Sequence, residues 1–453
     1  MDTTRTSETI DQDRRRLLGT AAGGIAAAGA ASLLPSQKAA ASTSDGIRPF
    51  TVSFPQEELT ELRRRIVATR WPERELVSDE ASRRIWSTPA TVGPTQGVQL
   101  ATMQKLMKYW GTEYDWSKCE ARLKALPNFV TEIDGLDIHF IHVKSKHQGA
   151  LPVIITHGWP GSVIELLKII DPFTNPTAHG GAAADAFDVV IPSMPGYGFS
   201  GKPTETGWDP ARIARAWIVL MKRLGYDRYV AQGGDWGALI TEQMALIATP
   251  ELAAIHTNMP GTIPPEIVKA LASGGPPPAD LGPDEKRAYE QVAFFYKNGL
   301  GYANEMALRP QTLYGIVDSP AGLAAWILDH DADSCALIAR SFDGEPEGLT
   351  RDDILDNITF YWLTNTAISS ARLYWEHSQT AKAGFFDAKG ITIPVGATAN
   401  PSEIYTAPKS WTERAFPKLL HYGRTDKGCH FAAWEQPKIF TDEVRATFKT
   451  LRT

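Results

Sequence analysis

Short apolar runs that alternate with segments of helical periodicity constrain this chain more than any other feature. Val153-Ile154-Ile155 is followed by a helix start at Ser162. Phe187 to Ile191 is followed by Asp209-Pro210, and Arg228 to Ala231 by an apolar helical stretch from about Ala238 to Ile247. The Val153 run has no polar alternate positions, as expected of a strand buried on both faces. Asp209 can accept from the first free N–H groups of a helix, and Pro210 lacks the donor that the first helical position leaves unused. Strand and helix in repeated succession predict an α/β fold, a mostly parallel sheet with helices on both faces. The alternation stops near Pro260. From there to about residue 388, past Ser273-Gly274-Gly275-Pro276-Pro277-Pro278, the segments have helical character. Strands resume at Ile391 to Gly396 and Leu419 to Tyr422, before a final helix. A helical insertion in such a sheet predicts a cap over its active edge.

Upstream, Phe50, Val52 and Phe54 alternate, and Leu59, Leu62 and Ile66 recur at helical spacing before Trp71-Pro72. This predicts a short strand leading into an amphipathic helix. The stretch from there to Pro127 is rich in aromatics (Trp86, Tyr109, Trp110, Tyr114, Trp116). It is too small to stand alone and is expected to wrap the domain that follows. Further strand character appears from Phe129 through Leu136, Ile138 and Phe140. The expected division is a leader over 1–41, an N-terminal segment over 47–127, a core over 128–263 and 389–453, and a helical lid over 264–388.

The leader is read from Arg14-Arg15-Arg16, then Leu17-Leu18, a Gly/Ala-rich apolar run from Gly19 to Leu34, and Ala39-Ala40-Ala41. Basic, apolar, then small residues form a signal-peptide layout, and the twin arginine with mild hydrophobicity resembles a twin-arginine export signal cleaved after Ala41. Export to the periplasm or medium is the expectation, with no stable membrane anchor after cleavage. The net charge of −6 offers no basic footprint for a nucleic-acid partner. Cys119, Cys335 and Cys429 match neither a disulfide framework nor zinc-ligand spacing.

The sharpest chemical signal is Gly233-Gly234-Asp235-Trp236-Gly237, between an expected strand and an expected helix. Glycines there permit a tight turn that exposes its apex residue above the carboxyl edge of the sheet. The apex residue is Asp235. A carboxylate can displace a leaving group at saturated carbon, and the ester so formed keeps a carbonyl that water can attack. His157-Gly158-Trp159-Pro160-Gly161-Ser162 follows the buried strand directly. The backbone N–H groups of Trp159 and Trp236 are therefore expected to converge on an oxyanion, each donor contributing roughly 3 kcal/mol. Lys427-Gly428-Cys429-His430-Phe431 precedes the last helix, and Glu403 follows the strand ending near Gly396. Asp235, Glu403 and His430 stand in the nucleophile, acid, base order of the α/β-hydrolase fold.

Arg70-Trp71-Pro72, His157 to Ser162, Gly233 to Gly237, and His430-Phe431-Ala432-Ala433 with Glu435-Gln436-Pro437 together make the chain resemble the microsomal-type epoxide hydrolases, from about Arg48 to the C-terminus. That resemblance implies two-step hydrolysis of an epoxide to a diol, with two lid tyrosines that hold and protonate the epoxide oxygen. The matching positions are Tyr302 and Tyr374. Phenols with a reference pKa near 10 stay protonated at neutral pH. Two positions depart from the family pattern: Cys429 replaces a glycine before the histidine, and Asn400 replaces an aromatic before Pro401.

Gly196 to Lys202 has the outline of a phosphate-binding loop, but Pro203 stands where a Ser or Thr is required. His139 and His142 face opposite sides of a strand. No metal and no organic cofactor are expected. The expected partner is a small apolar epoxide, with Phe294, Phe295 and Trp362 as candidate apolar lining, and a homodimer is compatible with these features. A haloalkane dehalogenase, with the same type of nucleophile on the same fold, and a non-catalytic binding protein are the alternative readings. Halide release from chloroalkanes, or epoxide binding without diol, would favour them.

Overall fold

The computed structural model describes residues 46–77 and 96–452. The expected export signal and Trp86 lie outside them. Among the described residues, nine strands form one sheet: β1 (Arg48–Pro49), β2 (Asn128–Ile133), β3 (Leu136–Val143), β4 (Leu151–Thr156), β5 (Phe187–Pro192), β6 (Tyr229–Gly233), β7 (Leu252–Thr257), β8 (Val395–Ala399) and β9 (Leu419–Arg424). Their order is β1-β2-β3-β5-β4-β6-β7-β8-β9. Pairing is antiparallel from β1 to β5 and parallel from β5 to β9. Ile154 and Ile155 of β4 and Val189 and Val190 of β5 are wholly buried, as continuous apolar runs in the middle of a covered sheet must be.

Local chemistry sets where the helices begin. Asp209 accepts from the Arg212 N–H at 2.8 Å and Pro210 opens the helix Pro210–Arg223. That helix buries Ile213, Trp217, Leu220 and Met221 against the sheet. Ser162 caps a short 3₁₀ turn, Val163–Leu166, and the α-helix proper runs only over Leu167–Thr174. The helix expected from Ala238 starts at Trp236, directly behind the apex of the tight turn.

Two strand expectations need correction, and one strand is unexpected. Residues 50–54 form no ladder; the paired residues are Arg48 and Pro49, after which the chain leaves the sheet edge. The period-two pattern still reports sidedness, because Val52 is buried while Phe50 and Phe54 pack on Phe199 at 5.0 and 5.7 Å. Residues 391–394 precede β8 rather than belonging to it. Pro394 has no N–H to give a ladder, and only its carbonyl joins, accepting from Ile255. Strand β7 carries no sequence-based expectation at all, because Leu252-Ala253-Ala254-Ile255 reads equally as helix.

Between β7 and β8 the chain runs through eight helices: Pro265–Ala272, Pro283–Asn298, Gly301–Leu308, Tyr314–Asp318, Pro320–Leu328, Ala332–Asp343, Arg351–Thr364 and Ala367–Thr380. The N-terminal aromatics bind this insertion more than the sheet. Tyr109 donates to Asp352 and Tyr114 to Asp356, each at 2.6 Å, and the Trp110 indole donates to Thr359 at 2.9 Å. Among the described residues, no helix is long and apolar enough to cross a membrane.

Candidate active site

Four loops at the carboxyl ends of parallel strands β4, β6, β8 and β9 meet at one edge of the sheet. After β6, the turn places Asp235 at φ 51° and ψ −126°, a region costly for any residue with a Cβ and therefore held by its surroundings. Close packing supplies the hold. A Cβ at Gly237 would lie 2.0 Å from the Thr156 carbonyl oxygen, and one at Gly158 would lie 2.3 Å from Asp235 Oδ1. With no side chain at 158, the loop after β4 comes close enough for the Trp159 N–H to donate to Asp235 Oδ1 at 2.7 Å. Trp236, the other expected N–H donor, opens the helix next in the chain.

The other oxygen of that carboxylate, Oδ2, lies 3.6 Å from His430 Nε2. On its far side the imidazole donates from Nδ1 to Glu403 Oε1 at 2.7 Å. Asp235, Glu403 and His430 are all buried. The loops after β8 and β9 are tied to one another: Ser402 forms a bridge with Cys429 and its N–H donates to the Gly428 carbonyl. Burial disfavours a charged imidazole here, but the Glu403 carboxylate, through its charge and hydrogen bond, outweighs that together with Asp235 and Asp331, and the His430 pKa rises to about 10.

The two departures from the family pattern fit this loop. The position that demands glycine is 428, at φ 119°, so Cys429 meets no backbone constraint. The Asn400 amide reaches toward the Cys429 carbonyl and accepts from Thr425 at 2.9 Å, linking the acid loop to the histidine loop.

Tyr302, on the helix Gly301–Leu308, and Tyr374, on Ala367–Thr380, meet edge to face with ring centroids 6.0 Å apart. Tyr302 stacks on the Trp159 indole at 5.0 Å, and Tyr374 meets the Trp236 ring edge-on at 4.7 Å. Trp159 and Trp236, the expected N–H donors, are thus also the platforms for the tyrosines. Burial, reinforced for both by the Asp235 charge, pushes the two phenols well above 10, so they remain protonated donors.

Other residues at the site leave no signal in the sequence. His330 is buried with its ring centroid 4.3 Å from that of His430 and 5.1 Å from that of Tyr302. Its Nδ1 meets Asp331 at 2.9 Å. Burial opposes the Asp331 charge, but the hydrogen bond from His330 and the proximity of His430 hold that carboxyl at about 2. Asp235, His330 and His430 each offer a donor atom within 4.8 Å of the others, the one grouping of metal-ligand type among the described residues. A metal bound there would occupy Asp235 and His430, two of the three residues of the expected nucleophile, acid, base set. Glu435 accepts from the Cys429 and Phe431 N–H groups at 2.8 and 3.1 Å and so clamps the loop on both sides of His430. Only its place in Glu435-Gln436-Pro437 hinted at that.

Other candidates serve packing. Phe295 packs on Phe386 at 6.1 Å, and Trp362 lies beneath the Arg65 guanidinium at 5.8 Å. His139 lies between Ser193 and Asn128, and His142 contacts the Tyr226 hydroxyl. The Lys202 ammonium donates to the Asn365 carbonyl.

Comparison with known proteins agrees with this geometry. Residues 47–166 match the family described as "Epoxide hydrolase N terminus", and residues 152–298 match "alpha/beta hydrolase fold". The chain is 49% identical to a putative epoxide hydrolase of Stigmatella aurantiaca over 409 residues, 90% of this chain and 86% of that protein. It is 34% identical to epoxide hydrolase 1 of Oryctolagus cuniculus, covering 88% of each chain. Among solved structures it is similar to the juvenile hormone epoxide hydrolase of Bombyx mori, with a TM-score of 0.75, 29% identity, and coverage of 90% of this chain and 96% of that one. The N-terminal segment, the α/β-hydrolase core and the helical insertion together make this chain a member of the microsomal-type epoxide hydrolase family.

Proposed function

We propose that this enzyme opens an apolar epoxide by attack of Asp235 and releases a vicinal diol. The observation that carries the reading is the position of Asp235 between two kinds of partner. One oxygen accepts from the Trp159 N–H, and the other is left facing His430 without a donor in hydrogen-bond contact. The second oxygen is the nucleophile. As it bonds to an epoxide carbon, the C–O bond of the ring breaks and the departing oxygen takes a proton from the Tyr302–Tyr374 pair, giving a hydroxyalkyl ester.

Esterification removes the Asp235 charge that helps hold a proton on His430. The imidazole pKa falls as a result, so His430 gives up its proton, replacing the one the tyrosine pair lost, and becomes a base for water at the moment one is needed. Glu403 orients the ring and stabilises the imidazolium that forms. Water attacks the ester carbonyl, and the oxyanion develops on the oxygen already held by Trp159, with Trp236 as the second donor. No step calls for a metal or organic cofactor. The helices between β7 and β8 act as the lid, since they carry both tyrosines.

Diol formation from a panel of aryl and alkyl epoxides, measured beside halide release from chloroalkanes, tests the activity. The reading expects diol and no halide; halide release without diol would replace it with dehalogenation. Export rests on Arg14 to Ala41 alone, and the Arg14-Arg15-Arg16 to Lys-Lys-Lys change should leave uncleaved protein in the cytoplasm. Unchanged export of that variant would refute a twin-arginine route.

A further inference from the structure

We infer that Glu165 holds the water that hydrolyses the ester on Asp235, an inference that rests on the covalent mechanism above. A small cavity beside the reacting groups is lined by Asp235, His430, Glu165, Gly158, Gln232 and Asn258, among others. Its volume is about 20 Å³, enough for one water, which needs roughly 10–15 Å³, and too small for a substrate. It touches both the carboxylate that becomes the ester and the imidazole that becomes the base.

Glu165 lies on the 3₁₀ turn Val163–Leu166, directly after the loop that carries Trp159. Its carboxyl oxygen Oε2 is buried and has no hydrogen-bond partner in the protein. Glu165 also lines the cavity, so a water there would give its carboxyl a partner that the protein does not supply. The fit is made by Gly161, where a Cβ would lie 1.5 Å from Glu165 Oε2. The carboxyl thus fills the space a side chain at 161 would take.

A water in this cavity has three complementary neighbours. One hydrogen points to His430 Nε2, the other to the Glu165 carboxyl that lines the cavity, and an oxygen lone pair is left for the Asp235 carbonyl carbon. Burial pushes the Glu165 carboxyl up to about 8, opposed by the His430 charge and reinforced by that of Asp235. At neutral pH it therefore adds no further negative charge beside Asp235 and Glu403. In the hydrolytic step the water oxygen bonds to the ester carbon and its proton passes to His430, while Glu165 keeps its own proton. Collapse breaks the bond from that carbon to the alkyl oxygen, and His430 returns the proton to the departing diol.

Rapid-quench single turnovers of the full chain with a styrene-type epoxide separate the two steps. Three variants are compared with wild type, each checked by thermal melting. Glu165→Leu removes the acceptor, Gly161→Ala displaces the carboxyl, and Glu165→Gln keeps an acceptor. In Leu and Ala variants, ester formation should stay within about threefold of wild type while ester decay slows about tenfold or more. The modified Asp235 peptide should then be visible by mass. Glu165→Gln should restore decay to within a few-fold. Decay at the wild-type rate in folded Leu and Ala variants, or equal slowing of both steps, overturns the assignment. Absence of any ester in wild type would instead overturn the covalent mechanism, so the two failures are distinguishable.

Discussion

Asp235, Glu403, His430 and Trp159 sit within a few residues of strand ends, whereas Tyr302 and Tyr374 sit on helices of the insertion, far along the chain from any strand. The two halves of the site are positioned by different physics. In the sheet half, backbone does the work: a strained turn, a glycine at each close approach, and a bridge between the acid and histidine loops. In the helical half, side-chain packing does it, with tyrosines laid against Trp159 and Trp236. Helix Arg351–Thr364 joins the halves. Its Asn357 donates to the Pro160 carbonyl and its Tyr361 to the Gly161 carbonyl, both at 2.7 Å. Substitutions in the sheet half should therefore be all-or-none in their chemistry and those in the helical half graded.

The largest effect is expected at the nucleophile. Asp235→Ala should lower turnover by about 10⁴-fold or more with folding retained, because no other group can form the ester. Turnover close to wild type in that variant would remove the distinction between the halves. Next, His430→Gln should form ester at near wild-type rate but hydrolyse it about 10²- to 10⁴-fold more slowly, so a stable adduct should appear by mass. In the helical half, Tyr302→Phe and Tyr374→Phe should each slow ester formation by about 10- to 100-fold, since the remaining phenol still donates. A total loss from either single change would show the tyrosines to be as indispensable as the sheet half.

The pH dependence sharpens the same contrast. Free His430 titrates near 10, and loss of the Asp235 charge lowers that value in the ester. Ester decay should therefore rise with pH through an apparent pKa below 10, measured by single-turnover quench across pH 5 to 10. A midpoint at or above 10 would contradict the proposed role of the Asp235 charge. The smallest effect concerns stability. Burial raises the Glu435 carboxyl to about 7, opposed by the Cys429 backbone hydrogen bond. The folded state thus binds the proton more tightly than the unfolded chain, and this contribution is present below about 4.5 and lost as pH rises toward 7. Glu435→Gln loses one of the two loop hydrogen bonds, about 1–2 kcal/mol at pH 5. By pH 8 the melting-temperature gap to wild type should have narrowed, and a gap independent of pH would place the Glu435 proton elsewhere.

The same division explains what was legible in the sequence. Gly233 to Gly237 and His157 to Ser162 could be read because tight turns and close approaches restrict residue type at fixed spacing, so geometry leaves a local mark. Tyr302 and Tyr374 could be placed only through resemblance to a family, since helix packing imposes no spacing between positions 72 residues apart. His330 and Glu165 left no mark at all: His330 lies in the polar connection Asp329-His330-Asp331 between two helices and Glu165 in an otherwise apolar turn, and the meaning of each arises only when the chain folds around it. The strand errors have a common cause. Residues 50–54 and 391–394 have the composition and extended form of strands, but ladder partners are supplied by tertiary structure, which decides where pairing starts.

A single turnover with enzyme in excess over epoxide in oxygen-18 water tests the covalent ester on Asp235. The first diol should carry no solvent label and the label should appear in the Asp235 carboxylate, because water attacks the ester and the original carboxylate oxygen leaves with product. Label entering the first diol directly, with none in Asp235, would contradict the covalent ester and leave Asp235 as a general base.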